Sequence, residues 1–128
     1  MVGILLLTHA PLGNAFMEAA THVFQGLPER LEAIDVWADQ PPREVQSLAE
    51  EAIVRLDAGD GVLVLTDMIG GTPCNCTLAL SEPEHVEVIA GISLPMLLRA
   101  LSYRHESLSH VAERAIAGAQ TGAVRLGK

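Results

Sequence analysis

The sequence predicts an α/β fold, with a doubly wound, mainly parallel four-stranded sheet and helices on both faces. Short apolar runs alternate with segments of helical periodicity along all 128 residues. This pattern is typical of parallel strands joined by crossover helices. No apolar run approaches the roughly 20 residues that span a bilayer, and no segment has the composition of a linker. We therefore expect one soluble, cytoplasmic domain over residues 1–128.

The first half of the chain contains two strand–helix pairs. The run VGILLL at residues 2–7 is apolar throughout, as in a strand buried on both faces. Residues 13–25 predict a helix, and the partly alternating residues 31–37 predict the second strand. The clearest helix is entered at Pro41 and Pro42 and spaces its apolar residues at i, i+3, i+4, i+7, i+8 and i+11: Val45, Leu48, Ala49, Ala52, Ile53 and Leu56.

The second half continues the same order. A short helix is expected after Pro73, between the third and fourth strands. The tail AVRL, at residues 123–126, predicts a short final strand. The strands are predicted at residues 62–65 and 86–90, and the last two helices at 94–103 and 108–119.

Charge and cysteine content exclude several functions. The formal net charge of −8 argues against nucleic acid, whose phosphates require a basic face, and against an anionic membrane surface. Cys74 and Cys76 are the only cysteines. A zinc site needs about four ligands, and the nearest histidine in the sequence, His85, is isolated. We expect no metal and no cofactor, and we interpret both cysteines as small residues at a helix start.

Two apolar runs end in threonine followed by a titratable residue. LLLTH closes on His9, and VLVLTD closes on Asp67. In the common flavodoxin-like strand order the first and third strands are neighbours, about 5 Å apart, and ligands bind outside their carboxyl ends. The sequence therefore predicts that the two side chains lie within hydrogen-bonding reach. A carboxylate bound to one ring nitrogen fixes the tautomer and leaves the other nitrogen as a nucleophile.

The segment MIGGTP follows Asp67 directly and opens onto the predicted short helix. Backbone N–H groups of such a loop, together with the helix N-terminus, form an anion cradle. A histidine nucleophile, an orienting carboxylate and a phosphate cradle together indicate phosphoryl transfer through phosphohistidine. The predicted phosphate-binding residues are Gly70, Gly71 and Thr72, with hydroxyl donors from Thr8 and Thr66.

The donor of this phosphoryl group is expected to be a protein. No Walker pattern occurs, the only lysine is the last residue, and no adjacent acids near the site would hold Mg²⁺ for a nucleotide. We expect an apolar docking rim at Leu12, Met68, Ile69 and Met96. Phe16 and Met96 are each assigned either to this rim or to the core. The other histidines are interpreted as surface or structural residues: His22, His85, His105 and His110.

The chain resembles the IIA proteins of the mannose-type (mannose/fructose/sorbose) branch of the bacterial phosphoenolpyruvate-dependent sugar phosphotransferase system. The resemblance rests on LLLTH, on TDMIGGTPCN at residues 66–75 and on GISLPMLLRAL at residues 91–101. It implies that His9 accepts a phosphoryl group from the histidine-containing phosphocarrier protein and passes it to a IIB domain during sugar uptake, with Asp67 orienting the histidine. It also implies a homodimer that exchanges a final antiparallel strand, and it allows peripheral association with a membrane sugar permease.

Three departures from the family pattern leave the sugar and the IIB partner open, and one of them is the presence of Cys74 and Cys76 at variable places in the helix start. Ala10 stands where glycine commonly follows the histidine, and Ser93 stands where asparagine is usual. Three alternatives also stay open at this point. The chain could be a stand-alone regulatory phosphorelay module, a phosphocarrier domain of a dihydroxyacetone kinase system, or a flavodoxin-like domain that binds free phosphate without covalent chemistry.

Overall fold

The computed structural model describes residues 1–68 and 85–127. Within these residues, the strands pair in parallel in the order β2-β1-β3-β4. The predicted doubly wound α/β fold is confirmed, whereas the short helix predicted after Pro73 lies outside the described residues. The elements are β1 (Gly3–His9), α1 (Leu12–Phe24), β2 (Leu31–Val36), α2 (Pro42–Leu56), β3 (Val62–Thr66), β4 (Val86–Ala90), α3 (Leu94–Tyr103) and α4 (Leu108–Gly122).

A helical layer covers each face of the sheet. Ile4 and Leu6 of β1 pack with α1, α3 and α4, while Leu5 and Leu7 pack with α2 on the opposite face. Every residue of β1 before His9 is buried. This double burial explains why the sequence of β1 is apolar throughout instead of alternating.

Arg104, directly after α3, holds the amino end of the sheet together. Its buried guanidinium donates two hydrogen bonds to the carbonyl oxygen of Val2, at 3.0 and 2.9 Å, and one each to those of Glu29 at 2.6 Å and Arg30 at 2.7 Å. Burial lowers the pKa of this guanidinium. The start of β1 is thereby tied to the residues that precede β2, at the edge opposite His9.

The last helix reaches Gly122, three residues beyond its predicted end. A Cβ at Gly122 would lie 2.7 Å from the ring of Pro95, so this glycine allows α4 to pack closely on α3. Residues 123–127 form no strand within this single chain. The predicted final strand was expected to pair with a second subunit, so it stays a prediction. Among the described helices, none combines the length and the apolar character needed to cross a bilayer.

Candidate active site at the carboxyl edge of the sheet

His9 and Asp67 lie side by side at the carboxyl edge of the sheet. β1 and β3 are paired neighbours with Leu7 opposite Thr66, so both titratable residues emerge at the same level. Oδ2 of Asp67 lies 2.8 Å from Nδ1 of His9 and accepts a hydrogen bond from the backbone N–H of His9 at 3.0 Å. The expected contact between the two side chains is present. Their catalytic role stays a prediction at this point.

The Asp67 carboxylate collects three N–H donors. Two belong to His9, and the third is the backbone N–H of Met68, 3.0 Å from Oδ1. Burial by itself raises the pKa of the Asp67 carboxyl. The hydrogen bonds that the carboxylate accepts and the charge of His9 lower this pKa by more, so the net pKa is below its ordinary value. At neutral pH Asp67 is therefore a carboxylate and only accepts hydrogen bonds.

This carboxylate decides which nitrogen of His9 is available. Because Asp67 can only accept, Nδ1 of the neutral ring carries the proton and Nε2 keeps its lone pair. The His9 side chain is 45% exposed, whereas that of Asp67 is 12% exposed. An imidazole held in this way can use the free lone pair of Nε2 as a nucleophile, and the largely buried negative charge beside it can stabilise a cationic ring.

The loop after β4 binds the backbone of Thr66 and Asp67 through hydrogen bonds. The N–H of Gly91 donates to the carbonyl oxygens of Thr66 at 2.9 Å and Asp67 at 3.1 Å, and the N–H of Ile92 donates to that of Thr66 at 3.1 Å. Gly91 has a φ of +90°, a conformation that favours glycine. Ser93 then caps α3 by accepting from the Met96 N–H at 3.2 Å. Asparagine and serine are both good N-caps, so this departure from the family pattern preserves the cap.

Asp35 of β2 holds the first turn of α1, which follows His9 in the chain, through two hydrogen bonds. Its Oδ1 accepts from the Gly13 N–H at 2.8 Å and its Oδ2 from Nδ2 of Asn14 at 2.6 Å. Pro11 at the start of α1 has no capping side chain, so Asp35 supplies the cap from the neighbouring strand. Sequence reasoning missed this role because residue 35 was interpreted only as part of a strand.

The docking role of the predicted rim stays a prediction, but the structure shows how far its described residues are exposed. Leu12 and Met68 are exposed at this edge, and Phe16 is half-buried against the core. Of the two assignments left open for Met96, the rim assignment is wrong and the structure places this residue in the core. Met96 is only 2% exposed, because α3 turns its apolar stripe inward and packs this side chain into the core under α1 and α4.

The predicted phosphate ligands divide into two groups. Thr8 and Thr66 are buried, and among the described residues neither hydroxyl oxygen has a hydrogen-bond partner. Both hydroxyls are out of reach of solvent in this state, so their contact with phosphate stays a prediction. The other predicted phosphate ligands, Gly70, Gly71 and Thr72, lie outside the described part of the chain, as does the predicted rim residue Ile69. The two cysteines lie outside it as well.

Sequence comparison relates most of the chain to one family. The family model described as "PTS system fructose IIA component" matches residues 3–116. The fructose-specific EIIA component of Bacillus subtilis is 28% identical over 105 residues, which cover 81% of this chain and 71% of that protein. The mannose-specific EIIAB component of Escherichia coli K12 is 38% identical over 78 residues, which cover 57% of this chain. The matched region spans 24% of that longer relative.

Solved structures share the fold over nearly the whole chain. The phosphotransferase system component EIIA from Streptococcus agalactiae superposes with a TM-score of 0.87 at 25% identity, covering 98% of this chain and 97% of that one. The mannose/sorbose-specific IIA subunit from Enterococcus faecalis has a TM-score of 0.84 at 22% identity, covering 99% and 96% of the two chains. At that identity the second likeness shows the fold alone.

Proposed function

Because this chain belongs to the fructose- and mannose-type IIA family of the phosphotransferase system, we propose that it is a phosphohistidine phosphocarrier of that system. His9 accepts a phosphoryl group from the histidine-containing phosphocarrier protein and passes it to a IIB domain, which makes the chain a phosphotransferase. The observation that carries this proposal is the 2.8 Å contact between Oδ2 of Asp67 and Nδ1 of His9.

In this proposal Nε2 of His9 is the reacting atom. Its lone pair attacks the phosphorus of the donor's phosphohistidine, the donor's P–N bond breaks, and that electron pair returns to the donor's ring nitrogen. No proton has to move at His9, because Nδ1 keeps its own. The phosphorylated ring then becomes cationic, and the Asp67 carboxylate stabilises that charge. Transfer to the IIB domain is the same displacement with His9 as the leaving group.

The phosphoryl oxygens require donors around Nε2. We assign this role to the backbone N–H groups of Gly70, Gly71 and Thr72, because their segment follows Asp67 directly and glycines allow close approach of the backbone to an anion. Thr8 and Thr66 add hydroxyl donors. Leu12, Met68 and Ile69 belong to the surface that docks the partner proteins.

The names of the relatives support a proposed setting for this chain. Those with specific names are fructose- or mannose-specific components, so we place this single domain in sugar uptake, in the cytoplasm and at the periphery of a membrane permease. We also propose a homodimer that exchanges residues 123–126 as a strand. Val124 and Leu126 support this, because both are exposed on the isolated chain, and pairing with a second subunit covers such an edge.

Phosphorylation with phosphoenolpyruvate and the general phosphotransferase proteins tests the assignment. We expect one acid-labile, base-stable phosphoryl group per chain, absent in His9→Ala and retained in the control His22→Ala, which removes an exposed histidine of α1. NMR of ¹⁵N-histidine protein should place the phosphorus on Nε2. An unlabelled wild-type chain would overturn the proposal.

Onward transfer separates the relay from its regulatory alternative. If the label passes from His9 to a IIB domain, the chain is a transport phosphocarrier. If the label stays on His9 with every IIB domain offered, the regulatory module is favoured. For the dimer, sedimentation of the full chain and of a chain ending at Gly122 should give two subunits and one subunit, and equal masses contradict the strand exchange.

A further inference from the structure

The only tryptophan of the chain is exposed at the end of the strand that pairs with the strand of His9. Trp37 directly follows Val36, which is the register partner of His9 on the adjacent strand. The N–H of Ala10 donates to the carbonyl oxygen of Val36 at 3.0 Å, so β1 and β2 remain paired up to this point. Trp37 nevertheless keeps 61% of its surface exposed. Sequence reasoning passed over it as the end of a strand.

The backbone that carries this indole is held in place. The N–H of Trp37 donates to Oε1 of Gln40 at 3.2 Å, and its carbonyl oxygen accepts from the N–H of Gln40 at 3.0 Å. α2 begins two residues later, at Pro42. A large side chain on a fixed turn binds a partner at a low entropic cost, because little has to be ordered on contact.

Trp37 belongs to a ring of exposed apolar residues at this edge. Leu12 follows β1, Trp37 follows β2 and Met68 follows β3, and all three are exposed. His9 lies at the end of the central strand of these three. Tryptophan is enriched among the residues that dominate binding energy at protein interfaces. These features indicate a protein-docking surface centred on His9.

The charges at this edge specify the partner. Asp35, Asp39 and Asp67 lie on or shortly after strand ends. Glu44 lies in the first turn of α2, beside Arg43, which is the one Lys or Arg near this edge among the described residues. The whole chain carries a formal net charge of −8. A second copy of the chain would bring the same excess of acid to this surface, whereas a protein with basic residues would be attracted.

We propose that Trp37 is the principal docking residue for the protein that donates the phosphoryl group, whose own surface combines an apolar patch with basic residues at its margin. This inference rests on the proposed phosphocarrier function. Truncating such an anchor to alanine typically costs a factor of about 30 or more in affinity. The chemistry at Nε2 is expected to be independent of the indole.

The test measures transfer from the phosphorylated histidine-containing phosphocarrier protein to His9. We expect Trp37→Ala to raise KM about 30-fold with little change in kcat, and Trp37→Phe to restore most of the loss. Val54→Ala removes an exposed apolar side chain from α2, away from the strand ends, and should leave KM unchanged. Phosphoramidate, a phosphodonor without a docking surface, should label wild type and Trp37→Ala at equal rates.

A second readout uses the fluorescence of the single tryptophan. In a His9→Ala chain, which cannot react, titration with the donor protein should shift the emission of Trp37 to shorter wavelength, with a Kd that rises as salt is added. An unchanged KM in Trp37→Ala refutes the docking role, even where His9 is labelled normally. A wild-type chain that is never labelled overturns the proposed function instead, while the titration still decides whether Trp37 docks the donor. A change of subunit number in Trp37→Ala would assign the surface to a second copy and overturn the inference.

Discussion

Replacing Asp67 by asparagine changes one atom of the contact that supports His9. The carboxylate accepts three N–H groups, two from His9 on Oδ2 and one from Met68 on Oδ1. Asparagine has one acceptor oxygen and one NH₂ group. Its NH₂ group must therefore replace either Oδ1, which faces the Met68 N–H, or Oδ2, which faces the two His9 N–H groups. The amide satisfies more donors when its oxygen faces His9. We therefore expect the Nδ1–H tautomer to persist, with Met68 losing its acceptor.

The expected loss comes mainly from the missing charge. Hydrogen bonds to charged groups contribute about 1.5–3 kcal/mol and neutral ones about 0.5–1.5 kcal/mol. The difference of about 1–1.5 kcal/mol is lost when the ring becomes cationic, which corresponds to a rate about 5- to 13-fold lower. Since the His9 side chain is 45% exposed, solvent screening favours the lower part of this range.

Rapid-quench measurement of phosphoryl transfer to His9 at saturating donor gives this rate directly. Asp60→Asn is the matched control, because this carboxylate lies at the amino end of β3 and pairs with the N-terminus. Circular dichroism should show the same fold for both variants, and ¹⁵N shifts of His9 report the tautomer. A folded Asp67→Asn chain that transfers within about twofold of the wild-type rate would refute the electrostatic role of Asp67.

Three further predictions concern stability. Arg104→Met removes two buried hydrogen bonds to the carbonyl oxygen of Val2 and two part-buried ones to those of Glu29 and Arg30, and it should lower the free energy of unfolding in urea by about 2–4 kcal/mol. Gly13→Ala introduces a Cβ 2.7 Å from Oδ1 of Asp35 and should cost about 1–3 kcal/mol, measured in the same way. The hydrogen bond from the N–H of Gly59 is the main cause of the lowered pKa of Asp57. The ionised Asp57 carboxylate therefore stabilises the fold fully above about pH 4, and this stabilisation is lost as the pH falls through the lowered pKa. Asp57→Asn should therefore reduce the loss of stability between pH 6 and about pH 3.

Each of these stability predictions has a control within the chain. Arg55→Met removes an exposed arginine that binds Glu32, and an equal effect at positions 55 and 104 would contradict the clamp. Gly26→Ala is the control for Gly13→Ala, because no atom lies within 4 Å of its new Cβ. The φ of +156° at Gly26 is itself unusual for alanine, so stability alone does not separate the two variants. NMR should show the loss of the hydrogen bond to Asp35 in Gly13→Ala and its retention in Gly26→Ala. An Asp57→Asn chain with the wild-type pH profile would contradict the hydrogen-bond argument.

The sequence by itself determined the sheet and the central pair of the site. Parallel strands that are buried on both faces require apolar runs, so β1 and β3 were recognisable from their residues alone. A titratable side chain is expected only where such a run leaves the core. His9 and Asp67 were therefore marked by their position in the chain, and the flavodoxin-like strand order brought them together.

Only the tertiary structure decided which side chains around this pair face solvent and which support it. Periodicity could not show that Met96 turns into the core, that Trp37 stays exposed, or that Asp35 caps a helix from the next strand. Nor could it show that Gly91 binds the carbonyl oxygen of Asp67. These outcomes depend on contacts between residues far apart in the chain, and their energies arise only after the sheet and its helices have packed.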